Sequence, residues 1–355
     1  MSKDFVHLHV HTEYSLLDGL SKISKLFDYL KECGMDKIAI TDHGVMYGVI
    51  EFYKKAVRDE VKPIIGMEAY TTNVDLKERP ERGKFKNFHL LLLAKDKTGY
   101  QNLMNLTSIA HLKGYYYRPR VDRKTLAKYS EGLIATSACA QGEIAQALIS
   151  GSYDEAKRAA RWYLDVFKED YYLEMQRHEY DKYIKDAGSN EIKQALTDQA
   201  QNELVINSGV VKLSRELGIP LVATNDAHYI KSEDAHAQDA LVCIATGKNI
   251  SDTKRLRFID SPNFYIKTPN EMSNLFADFP DALKNTIKIA ENCNLKLKLD
   301  KWFFPEYTLE KRKTANSQLT EMVWEGIKKR TPKLTADIKS RINYELKIIR
   351  KKGFS

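Results

Sequence analysis

The chain has 355 residues, 43% hydrophobic and 29% charged, a balance that excludes a disordered polymer, and no apolar run approaches the roughly 18 residues needed to cross a bilayer. Its 56 Lys and Arg against 48 Asp and Glu give a net charge of +8, which favours a polyanionic partner without requiring one. Cys33, Cys139, Cys243 and Cys293 form no CxxC pair and no signal peptide precedes the first apolar run, so a reducing, cytoplasmic location without membrane attachment is expected.

Taken in chain order, short β-rich runs are predicted at Phe5–Val10, Lys37–Thr41, Pro63–Tyr70, Leu90–Ala94, Gly132–Thr136, Tyr171–Met175 and Pro220–Ala223. Apolar residues at three- and four-residue spacing predict helices between them, at Ser24–Cys33, Tyr47–Arg58, Thr98–Ala110, Tyr153–Phe167 and Asp198–Leu217. Such alternation implies an α/β fold with a parallel sheet and right-handed crossovers, open or closed, and seven units lean towards a barrel. Leu90–Ala94 is apolar on both faces, as a strand between a barrel interior and outer helices must be.

After about Asp281 the alternation stops. Phe303, Phe304 and Pro305 mark a break before helices at Gln318–Lys329 and Ala336–Lys351, so two domains are expected, 1–285 and 286–355. The basic runs of this last part fit a solvated helix face as well as DNA contact. A strong helix that stops at Gly353-Phe354-Ser355 suggests a longer parent protein.

The chemistry concentrates at strand ends. His7, His9 and His11 alternate along HLHVHTEYSLLDG, so a period of two places all three on one face. Three imidazoles in register favour metal binding over a packed or solvated role. Thr41-Asp42-His43-Gly44, Gly66-Met67-Glu68, Ser137-Ala138-Cys139 and Asn225-Asp226-Ala227-His228 then bring metal-competent groups to the ends of later strands. In parallel α/β folds this is the face where sites assemble, and mixed imidazole, carboxylate and thiolate donors suit two or three zinc, manganese or iron ions.

HLHVHTEYSLLDG, ITDHG, GMEAY, TSACAQGE and TNDAHY, in this order, resemble the motifs of the PHP (polymerase and histidinol phosphatase) domain found in alpha subunits of bacterial DNA polymerase III. HLLLLAKDKTGYQNLMNL, GYYYRPRVDRKTL, YYLEMQRH and SPNFYIKTPNEM extend the resemblance over nearly the whole chain. It implies a distorted seven-stranded (β/α) barrel followed by a mainly helical start of the polymerase region. The implied metal ligands are His9, His11, Asp18, His43, Glu68, Cys139, Asp226 and His228, with Asp226, His228 and His43 as catalytic members.

One further histidine is implied, His89 or His111. If Leu90–Ala94 runs with the other strands, His89 starts roughly 16 Å from their carboxyl ends, which argues against it unless the barrel is locally distorted; His111 could fold back over the site, and the choice stays open. His7 is expected either to support a ligand from behind or to be structural, and Asp42 to orient His43 or a neighbouring ligand. Glu174 and His178 are weaker candidates for the same supporting role, with a surface position after the sixth strand the favoured reading, and His236 reads as part of a surface helix.

The resemblance implies metal-dependent 3′–5′ removal of nucleotides from a DNA primer–template. It also implies a sliding clamp, a clamp loader and a proofreading subunit as partners, and magnesium at the polymerase site of the parent protein. Closely spaced palm carboxylates are needed for synthesis, and this sequence contains no Asp-x-Asp, so polymerisation is not expected of it. Two alternatives remain open here: a phosphatase acting on a small phosphomonoester, and a metal-stabilised platform without activity.

Overall fold

A computed structural model describes residues 5–16, 18–81, 85–299, 301, 305, 307–331 and 333–355. Among the described residues eight strands form, β1 (Lys37–Ile40), β2 (Lys62–Thr72), β3 (Asn87–Ala94), β4 (Tyr115–Tyr116), β5 (Arg118–Asp122), β6 (Leu133–Thr136), β7 (Tyr171–Gln176) and β8 (Leu221–Thr224). They curl into one sheet in which β1, β2, β3, β6, β7 and β8 are successive neighbours. The short hairpin β4–β5 adds to β2 beyond the end of β1, where β5 pairs Tyr70–Thr72.

The predicted first strand is present only as bridges. His7 pairs with Ile38 of β1, and Val10 pairs with Ala227 just past β8, so this segment is the stave that closes a distorted barrel. The backbone bonds Ala39 N–His7 O (2.9 Å) and His11 N–Ala227 O (2.8 Å) hold its two sides.

The sheet is not wholly parallel, contrary to the sequence reading. β3 runs antiparallel to both neighbours, β2 and β6, while the other staves are parallel. Its start, not its end, therefore lies beside the carboxyl ends of the others.

One apolar layer fills the lower barrel: Val6 and Leu8 with Ala39, Ile64, Leu93, Ile134, Tyr172 and Val222. The helix Pro280–Asn292 closes this floor with Ile289 and Ala290, and Cys293 follows them in. Removing such side chains from water contributes about 1.5–3 kcal/mol each. The opposite face of the strands, Leu90 and Leu92 among them, packs on the helices Lys97–Leu112 and Tyr153–Phe167, as the doubly apolar run predicts.

Residues up to Leu297 form one unit and those from Lys298 a second. Helix Pro280–Asn292, which the expected boundary at 285 would cut, belongs to the first because it plugs the barrel. In the second unit, Ala315–Arg330 and Ala336–Lys352 are helices as predicted, tied by Arg350 to Thr320 at 2.5 Å. Phe303 and Phe304 lie outside the described residues. No described helix is long and apolar enough to cross a membrane.

Candidate metal centre

The site sits at the carboxyl ends of the parallel staves, one layer above the apolar floor. Along β7, Tyr172 belongs to the floor, and Glu174, two residues on, enters the barrel on the same face. Its carboxylate accepts bonds from Thr136 of β6, Thr224 of β8 and His9 Nδ1, the last at 2.7 Å.

The backbone bends at His9, which breaks the alternation read from the sequence. His9 and His11 turn into the barrel, while His7 faces out and bonds the Lys267 carbonyl through Nε2 at 2.8 Å. Burial pushes His7 down to about 4 and keeps it neutral.

Glu68 of β2 is the hub. One oxygen lies 3.2 Å from His9 Nε2 and 2.9 Å from His89 Nδ1, and the other lies 2.6 Å from His43 Nδ1 and 3.7 Å from His11 Nε2. Asp226 Oδ1 lies 3.2 Å from His9 Nε2 and 3.1 Å from His11 Nε2. Asp18 reaches His43 at 3.3 Å and His228 at 3.9 Å. Cys139 Sγ is 3.5 Å from His89 Nδ1 and 3.6 Å from Glu68. The His11 ring stacks between His43 and His228, with centroids at 4.0 and 4.4 Å.

His89 thus joins the cluster, because β3 enters from the mouth and the 16 Å argument assumed the wrong strand direction. His111, the other candidate, is instead at a helix end, where its Nε2 bonds the Gly44 carbonyl at 3.0 Å. It braces the turn after His43. A Cβ at Gly44, whose φ is +62°, would come within 3.0 Å of Pro119 and 3.1 Å of Tyr70, so this turn requires glycine.

Glu174 and His178 are buried, which overturns the favoured surface reading and leaves the supporting role. His178 stacks on Phe264 at 4.0 Å and lies 3.3 Å from Glu203. A polar residue at an inward strand position was the available signal for Glu174. His236 lies exposed on the helix Ala235–Thr246, as expected.

The surrounding bonds fix the imidazole tautomers. Ser15 donates to Asp42 at 2.9 Å, so it accepts from His11 Nδ1 at 3.0 Å, and Asp42 orients His11 rather than His43. His9 Nδ1 likewise donates to Glu174. With Nδ1 occupied in this way, each ring when neutral presents its Nε2 lone pair to the cluster.

Two donors stand on strained backbone. Asp226 has φ +47° and Ala138, before Cys139, has φ +58°, conformations that cost on the order of 1–3 kcal/mol each. Asn225 secures the first by donating to the carbonyls of Asn263 and Tyr265, both at 2.8 Å, and accepting from Lys267 Nζ at 3.0 Å.

Burial opposes charge throughout the cluster, and the carboxylates outweigh it at His9 and His43 but not at His11. Asp226, Glu174 and Glu68 raise His9, and Asp18 and Glu68 raise His43. Glu68 and Asp226 are held well below the usual carboxylate range by the surrounding histidines. Burial beside His43 and His228 pushes His11 down to about 3. The cluster therefore carries a concentrated negative potential that demands cations.

These residues fit divalent metals on a structural ground. His9 Nε2, His11 Nε2, His43 Nδ1, Asp18 Oδ1, Glu68 Oε2 and Asp226 Oδ1 are all buried without a hydrogen-bond partner. Donor atoms of His11, His43 and His228, of His9, His11 and Glu68, and of His43, Glu68 and His89 form three overlapping groups, each within 4.8 Å. Imidazole and carboxylate together suit zinc, manganese or iron.

The PHP domain model matches residues 7–178, the stretch that supplies His9, His11, Asp18, His43, Glu68, His89 and Cys139 to the cluster. DNA polymerase III subunit alpha of Borreliella burgdorferi is 46% identical over 99% of this chain, and that of Campylobacter jejuni 45% over 83%. The chain therefore belongs with the N-terminal PHP regions of the DNA polymerase III alpha-subunit family. It spans 29% and 24% of the length of these two relatives. A solved amidohydrolase from Chromobacterium violaceum aligns loosely, at TM-score 0.36 and 13% identity over 63% of this chain and 87% of that one.

Proposed function

We propose that this chain is a metal-dependent phosphodiesterase that removes nucleotides from the 3′ end of DNA. The observation that carries the reading is the set of buried, unpartnered donor atoms converging at a cavity of about 610 Å³. Asp18, His43, His89, Cys139, Asp226 and His228 all line that cavity, so the cluster is accessible to a substrate rather than sealed.

Divalent ions bound there would acidify water and offset charge on the phosphoryl oxygens. The chain's own part is positional. Glu174 and the Ser15–Asp42 pair hold His9 and His11 in the tautomers that present Nε2, and Glu68 stands between both and His43. His228 is held by its Nδ1 bond to the Asp226 carbonyl at 2.7 Å and by stacking on Phe258 at 5.1 Å. The alpha-subunit likeness extends the reading to a proofreading role in replication, in the cytoplasm, within a longer polymerase that works with a clamp, its loader and a proofreading subunit.

The test is to incubate the zinc- or manganese-loaded chain with a labelled primer–template carrying a 3′ mismatch, beside Asp226→Asn. Shortening from the 3′ end is expected, with Asp226→Asn and chelation each lowering the rate by about a thousandfold or more. Stoichiometric metal with no cleavage would favour the inactive platform.

A further inference from the structure

The cavity above the donor cluster contains one strong cation among its described lining residues, Arg118. Arg118 opens β5, and Tyr117 before it turns the hairpin at φ +60°. Its guanidinium carbon lies 5.4 Å from the centre of the Tyr70 ring. That ring stacks 6.2 Å from His43 and stands edge-on 5.1 Å from His89. The charge thus sits one aromatic ring beyond the metal-competent residues.

Its surroundings hold it there without neutralising it. Pro119 packs against Gly44, the residue after His43, which couples the hairpin to the donor cluster. Arg123, Arg177, Arg255 and Arg257 are each paired with a carboxylate. Arg118 has no carboxylate partner among the described residues, although a strongly acidic cluster lies nearby. Arg120, two residues on, is buried with its guanidinium bonded to the carbonyls of Gly114 and Glu78.

Resting on the phosphodiesterase reading, we infer that Arg118 binds the phosphate next to the one being cleaved. The cavity thereby selects a polynucleotide strand over a substrate with a single phosphate. The cluster engages the reacting phosphate, and the neighbouring one, a nucleotide step away, is served by its own counter-charge. A guanidinium matches two phosphate oxygens with a planar fork, and Tyr70 beneath it keeps that fork oriented. The exposed Tyr115 and Tyr117 of the same hairpin offer faces for the bases of such a strand.

The experiment compares the manganese-loaded 355-residue chain with Arg118→Gln and Arg118→Lys on two substrates, a single-stranded decadeoxynucleotide and bis(p-nitrophenyl) phosphate. For Arg118→Gln, the ratio of kcat/KM on the strand to that on the single-phosphate diester is expected to fall about tenfold or more, mainly through KM, with partial recovery in Arg118→Lys. A ratio within about threefold of wild type would overturn the inference. If wild type cleaves neither substrate, the phosphodiesterase reading fails, and affinity for the fluorescent decanucleotide decides the matter separately. A salt slope shallower by about 0.7 in Arg118→Gln supports the phosphate contact, and an unchanged slope and affinity refutes it.

Discussion

The two ends of the barrel are built from the same staves on opposite principles. At the floor, Ala39, Ile64, Leu93, Ile134, Tyr172 and Val222 meet Ile289 and Ala290 in a layer where every contact is apolar. At the mouth, His9, His11, Glu68 and Asp226 are equally buried but keep atoms without partners. The floor is stable as it stands, whereas the mouth has desolvated charge and lone pairs that only added cations would satisfy. Stability and chemistry are thus separated along the barrel axis by two residues per strand, as Tyr172 and Glu174 illustrate.

The sharpest way to break the comparison is at the floor. Leu93→Ala should destabilise the chain by about 2–5 kcal/mol, read as a lowered urea midpoint, while metal bound per folded molecule stays the same. Loss of metal from molecules that remain folded would mean that the two ends are not separate.

His7 gives the next largest effect, because it comes from the mouth's own motif and is turned away from it. Its folded value of about 4 lies below its ordinary 6.5, so the unfolded chain binds the extra proton between these values. Stability is fully present above pH 6.5 and falls by about 3 kcal/mol as pH drops towards 4. Metal-free His7→Gln should show an acid loss smaller by that amount in parallel urea titrations. Identical pH dependence in both proteins would count against a buried neutral His7.

Glu174→Gln probes the boundary between the two ends. Removing the charge that polarises His9 should weaken metal affinity by about 10–100-fold in competition with a chelating indicator. Unaltered affinity would show that His9 needs only a hydrogen-bond acceptor there.

Much of this was legible in the sequence because strand ends converge whatever the loops do. The donors His9, His11, His43, Glu68, Cys139, Asp226 and His228 each follow or end a predicted stave, and the fold brings all of them together. Strand direction was not legible, since a doubly apolar run such as Leu90–Ala94 reads alike both ways, and the distance argument against His89 failed for that reason. The bend at His9 was equally invisible, so His7 seemed in register with its neighbours. Glu174 was legible only as a weaker supporting candidate, because a carboxylate in a strand reads as solvent-facing until the ring of Thr136, Thr224 and His9 around it is known.

The reversed strand also changes which connections can be edited. Along the parallel staves, the segment after each strand overlooks the mouth, but around β3 the order inverts. The link between Thr72 and Asn87 joins two strand ends at the rim, while the turn after Ala94 lies at the floor, where Lys95 accepts a bond from Asn294 and pairs with Asp170. A tag or reporter inserted after Ala94 would sit on the far side of the barrel from the substrate. The same insertion beside Asn87, which lines the cavity, would stand at its edge.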